Sequence, residues 1–173
     1  IQLLNGANYI LVLILVAMGL VIIFGLMNVI NMAHGELFLL GAYTVVLSDQ
    51  LGLGFWFGLI AAPFVVGLVG AAMEIFLIRH LYHRFLDTIL ATWGVSIAIK
   101  QAIIILFGPE GLMVHPPLPQ MISLMGTGYP AYRLFIMAVA LVVLLVTFYL
   151  FLATDYGLAA RAVIANSHMA KAL

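Results

Sequence analysis

The sequence predicts an all-α, polytopic membrane protein with about five transmembrane helices and a cytoplasmic helix after the last. Three observations lead there. Of its residues 66% are hydrophobic and 7% charged, where soluble domains run at roughly 45–50% and about 25%. The apolar residues fall in long blocks, approaching the run of about 20 that a helix needs to cross the hydrocarbon core. Four of the six basic residues, Arg79, Arg84, Arg161 and Lys171, lie in two stretches between or after those blocks.

The first block, Ile10 to Met27, holds no polar side chain. It is too long for a signal-peptide core and has neither a basic head nor a small-residue cleavage site, which predicts a span over about 9–30. Ala33 to Leu47 is apolar but carries His34 and Glu36, and predicts a shorter span over about 33–48. Leu51 to Met73 predicts a span over 52–78, with a kink at Pro63. Ile89 to Phe107 predicts 88–107, and Leu134 to Ala153 predicts 133–153.

Whether the His34 segment crosses decides the topology. With five spans, Arg79 and Arg84 in one connector and Arg161 and Lys171 in the tail share a side, and only Arg133 sits at a boundary on the other. With four spans the basic stretches fall on opposite faces. Positive charge marks the cytoplasmic side, so the five-span reading is preferred, with the N-terminus outside and the tail in the cytoplasm. Residues 108–132 form an external loop, because Pro109, Pro116, Pro117, Pro119 and Pro130 cannot propagate a helix. The alanine-rich tail predicts a helix opened by Asp155 as N-cap, with Arg161 and Lys171 on its surface. The sequence stops within that element, as a fragment of a longer membrane protein does.

Composition also excludes functions. Six basic and six acidic residues give no net charge, so no basic stripe exists for nucleic acid. The absence of cysteine removes disulfides, thiolate zinc sites and cysteine nucleophiles. No phosphate-cradling glycine loop, paired carboxylates, nucleophile with base or metal cluster is readable. Neither catalysis nor a cofactor is expected.

Polar groups inside the spans are costly unless they are paired or face water. In NVINMAHGELFLLGAY, Asn28 and Asn31 end one span while His34 and Glu36 open the next. They either cap helix ends and bond neighbouring helices or line a solute path. His34 and Glu36 are two residues apart and point to different helix faces, which disfavours a shared metal. Thr88, Thr92, Ser96 and Lys100 recur every four residues on one helix face. That stripe is either a water-facing path or a hydroxyl packing seam, and Lys100 is placed to snorkel to the headgroups. Gly54, Gly58, Ala62 and Gly70 form a small-residue face suited to close approach by another helix, a partner subunit among the candidates. Glu74 is placed to pair with Arg79, and His80 with His83 reads as a basic surface patch.

GLMNVINMAHGELFLLGAY, RHLYHRFLDTILATWGVS and DYGLAARAVIANSHMA together resemble the permease subunits of branched-chain amino-acid and urea-type ABC importers over nearly the whole chain. LATWG, LYHRFLDT and YRLFI look more like the urea and short-chain amide branch than the leucine-type one. The resemblance implies a non-catalytic subunit in a bacterial inner membrane, with a second permease subunit, two cytoplasmic ATPase subunits and a periplasmic or extracellular solute-binding protein as partners. It makes 154–173 a coupling segment that docks on the ATPase, with Gly157 at its start and Arg161 on its exposed face. Asn28, Asn31, Thr92 and Ser96 then become the hydrogen-bonding groups offered to a small neutral solute. Lys100 departs from the uncharged amide expected there. The alternative is a self-sufficient channel or secondary carrier, which needs no docking helix; no repeat relates the two halves.

Overall fold

The structure is a computed structural model that describes residues 2–82, 84–114, 117–124 and 127–165. His83, Pro116, Lys171 and the rest of the tail beyond residue 165 lie outside the described residues. The elements are α1 (Gln2–Met27), α2 (His34–Gln50), α3 (Phe55–Phe76), a 3-10 turn (Ile78–Leu81), α4 (Phe85–Phe107), β1 (Met121–Leu124), β2 (Thr127–Pro130), α5 (Ala131–Ala153) and α6 (Asp155–Ala165). Among the described residues four helices are long and apolar enough to cross a membrane: Gln2–Met27, Phe55–Leu81, Phe85–Phe107 and Ala131–Ala153. α2 is apolar but shorter, at 17 residues, the low end of what a spanning helix uses, about 17–25.

The chain divides into two compact units, 27–115 and 1–26 with 116–173. In the first, α2 and α3 form a close antiparallel hairpin. Gly54 opens α3 with φ +82°, a conformation side chains rarely adopt. Its carbonyl accepts a hydrogen bond from Ser48 Oγ at 2.9 Å. α3 runs through Pro63 as one helix. α4 begins three residues before the expected boundary, because Thr88 Oγ1 lies 2.9 Å from both the Leu81 and Arg84 carbonyls and secures the first turn.

In the second unit, the proline-rich stretch expected as an irregular loop contains a hairpin. β1 pairs antiparallel with β2, from Met121 opposite Pro130 to Leu124 opposite Thr127. The Ala131 amide donates to the Gln120 carbonyl at 2.9 Å, so α5 starts where the ladder ends, two residues earlier than expected. Pro119 precedes β1 and Pro130 is the last residue of β2, places where a missing amide costs least. Tyr129 anchors the hairpin with 1% of its surface exposed.

Polar side chains are buried beside apolar ones, and large apolar side chains face outward. Asn31, Ser48, Thr88, Thr92 and Ser96 are buried, while Phe64, Leu68, Ile105 and Leu106 are each more than 70% exposed. This arrangement suits hydrocarbon, which welcomes apolar side chains and leaves polar ones unsatisfied.

Candidate functional site

In the unit of residues 27–115, the polar residues picked out by spacing gather on one structure. α1 ends at Met27 because Asn28 takes φ 52°, a left-handed conformation that asparagine tolerates better than most residues. Residues 28–33 are not helical. Within them the Asn31 side-chain oxygen accepts the Ala33 amide at 3.0 Å, and the Asn31 carbonyl accepts the His34 amide at 3.2 Å. Asn31 therefore builds the turn that starts α2.

This segment lies on the hydroxyl face of α4. The Met32 amide donates to Thr92 Oγ1 at 3.2 Å, and the Ile30 carbonyl is 3.5 Å from the same oxygen. Thr92 is completely buried. Non-helical backbone at membrane depth must find partners inside the protein, and Thr92 supplies one across 60 residues of sequence. Thr88, Thr92 and Ser96 are buried whereas Lys100, next along the stripe, is exposed, so the stripe divides into a packed part and a free end. Asn28 is exposed. His34 meets the Phe38 ring edge to face, with centroids 5.2 Å apart, and Glu36 occupies the first turn of α2.

The small-residue face also divides. A Cβ on Gly58 would lie 2.7 Å from Val45 Cα and 2.9 Å from Ser48 Cβ, whereas one on Gly54 or Gly70 would meet nothing within 4 Å. Gly58 thus serves the α2–α3 contact within the chain, and Gly54 serves as a turn. A cleft of about 370 Å³ between α2, α3 and α4, lined by Leu40, Leu47, Val69, Ile99, Ile103 and Phe107, offers a polar solute almost nothing to bond. The Thr44 hydroxyl at its wall is turned to the Leu40 carbonyl.

In the last turn of α3, Glu74 pairs with Arg79 at 3.5 Å and accepts a hydrogen bond from Tyr82 Oη at 3.1 Å. Burial, and then the Glu74 carboxylate, raise the Tyr82 phenol above its ordinary pKa. Arg84 and Asp87 form an exposed pair at 3.3 Å, worth at most about 1 kcal/mol. Among the described residues no group of three or more His, Cys, Asp or Glu is placed to hold a metal ion.

In the other unit, α6 turns off the end of α5 through a tight corner. Here the N-cap is Thr154 rather than Asp155: Thr154 Oγ1 accepts the Gly157 amide at 3.2 Å, three residues into the helix, as a capping side chain does. Asp155 is instead the acidic residue of the first turn. Gly157 is buried, and a Cβ there would collide with the Leu150 and Phe151 carbonyl oxygens. Arg161 donates from Nε to the Gly157 carbonyl at 3.3 Å and from a terminal nitrogen to the Leu152 carbonyl at 3.4 Å. The cation thus sits on the carbonyl end of α5, the favourable end of the helix dipole. The Ile164 side chain reaches the place a Cβ on Gly25 of α1 would take, 3.2 Å away.

Sequence reading missed three contacts here. They are the Thr154 cap, the Gly25–Ile164 approach and a polar knot in which Asn5 Oδ1 accepts Tyr129 Oη at 3.3 Å and the Arg133 guanidinium. Only the first had a local signal, an adjacent threonine.

No curated protein and no solved structure matches the chain significantly. A family model described as the permease component of branched-chain amino acid transport systems matches residues 2–173. With all but the first residue inside that match and with several apolar helices long enough to cross a membrane, the chain belongs to this permease family and is a multi-pass membrane protein.

Proposed function

We propose that the chain is the translocation subunit of an ATP-driven ABC importer for a small neutral polar solute, urea or a short-chain amide. The observation that carries the energy-coupled part is the α5–α6 corner. A short helix fixed by a cap, a glycine without room for a side chain and an arginine on the preceding span's carbonyls suits a docking element, whereas a free tail needs none of these. Family membership implies an ATPase and a solute-binding protein as partners, and we assign two ATPase subunits, a second permease subunit and a bacterial inner membrane. α2 counts as a fifth span in this reading. That puts the N-terminus outside, α6 in the cytoplasm, and Arg79, Arg84 and Arg161 on the cytoplasmic side, as positive charge prefers. Asn28, Asn31, Thr92 and Ser96 are the groups assigned to the solute, since an uncharged solute is selected by hydrogen-bonding groups along a narrow path.

The test is uptake of labelled urea and labelled leucine into cells expressing the gene with its partner genes, with an intact or a disabled ATPase. Urea uptake that requires the ATPase is the expected result. Leucine uptake instead overturns the substrate and agrees with the family's description, and uptake indifferent to the ATPase favours a channel.

Arg161→Glu probes the docking reading. It removes the cation from the end of α5 and places an anion beside like partial charge. Co-purification of the ATPase is expected to fall while the chain stays in the membrane; unchanged co-purification counts against a docking role for α6.

A further inference from the structure

We propose that the non-helical segment Asn28–Ala33 is a movable cover over the hydroxyl face of α4, and that Thr92 is the positioning residue that latches it. The proposal rests on the translocation reading above and concerns the unit of residues 27–115 alone.

The hydrogen-bond arrangement supports two states. The segment carries its own turn, because Asn31 holds both the Ala33 and His34 amides, so it can leave α4 as one body. On the α4 side, Thr92 Oγ1 lies 2.9 Å from the Thr88 carbonyl and 3.1 Å from that of Ile89. Its proton therefore keeps an acceptor whether or not the segment is present. Separation strands nothing on α4 and asks only the Met32 amide and the Ile30 carbonyl to find other partners, which water supplies once they are uncovered. An ordinary interhelical hydrogen bond orphans both sides when it breaks; this one orphans one side.

Two buried apolar side chains seat the cover. Val29 and Ala33 are its buried apolar residues, and Met32 is 49% exposed. At its start Asn28 is exposed and takes a positive φ, a place where the chain already departs from the helix. Lifting the segment bares Thr92 and gives the solute path the hydroxyl that is wholly buried here. A closed cover thereby reconciles a buried Thr92 with a role in handling solute.

The chain contains no cysteine, so one introduced thiol reports on the cover without background. Ala33, fully buried, is replaced by Ala33→Cys in the full transporter. Alkylation by a soluble maleimide is then timed without nucleotide and with ATP plus vanadate. Adding Thr92→Val is expected to speed labelling about three- to tenfold, the ratio one net hydrogen bond supports. Thr92→Ser, which keeps the hydroxyl, is expected to label at the parent rate. Equal rates for Val and parent overturn the latch. A Val effect without any nucleotide effect supports the latch and overturns the ATP-coupled reading instead. Hydrogen exchange gives a second readout: the Met32 amide, whose proton Thr92 Oγ1 accepts, is expected to exchange faster in Thr92→Val than in Thr92→Ser, and equal rates overturn the latch.

Discussion

Gly157→Ala is expected to leave the chain in the membrane and to cut energy-dependent uptake about tenfold or more. The added Cβ collides with the Leu150 and Phe151 carbonyl oxygens and with the Phe151 carbonyl carbon. All three atoms are backbone, so no rotamer change relieves the contact and α6 must swing off the end of α5. Overpacking of this kind costs typically about 1–3 kcal/mol, and α6 is the cheapest part to displace. Elsewhere in a helix the same substitution gains up to roughly 1 kcal/mol, so a loss of function isolates the corner. The check is uptake per ATP hydrolysed, alongside membrane abundance. Uptake at the parental level would show that α6 needs no fixed direction.

The second large effect is expected at Gly58. Leucine there drives a branched side chain into Val45 Cα and Ser48, separates α2 from α3 and disturbs the Ser48–Gly54 hydrogen bond. The expected result is loss of the folded chain from the membrane. Gly58→Ala is expected to lower the thermal midpoint measurably, since even one Cβ falls 2.7 Å from a backbone atom. Gly67→Ala in the same helix, where a Cβ meets nothing within 4 Å, is the control and should be neutral. Equal midpoints for the two alanine variants would make the small-residue contact incidental.

The long spans were legible because an apolar run needs no tertiary partner to declare itself. The four-residue recurrence of Thr88, Thr92 and Ser96 was equally legible, as helical geometry dictates the shared face. What that face meets was not. The partners of Thr92 are a backbone amide and a carbonyl, groups every residue carries and no sequence distinguishes. At α6 two adjacent residues were competent to cap, and the choice of Thr154 over Asp155 turns on which oxygen reaches the Gly157 amide. The hairpin hid behind its prolines, with strands of four residues too short to show alternation. Asn5 and Arg133 meet across 128 residues, and nothing local to either announces the other.

That last meeting has a mechanical consequence. α1 and α5 are fastened at one end by Asn5 with Tyr129 and Arg133. Toward the other end, Ile164 of α6 bears on Gly25 of α1 while Arg161 holds α6 to α5. Between the fastenings lies an apolar gap of about 510 Å³, bordered by Ile14, Met18, Val21, Leu144 and Phe148. Two rods joined near both ends are expected to move together rather than to scissor. They then form a frame expected to tilt as a whole, in which, at about 1.5 Å per residue, a small rotation at the α6 end becomes a displacement at the far rim, and the gap is a place where the frame can flex.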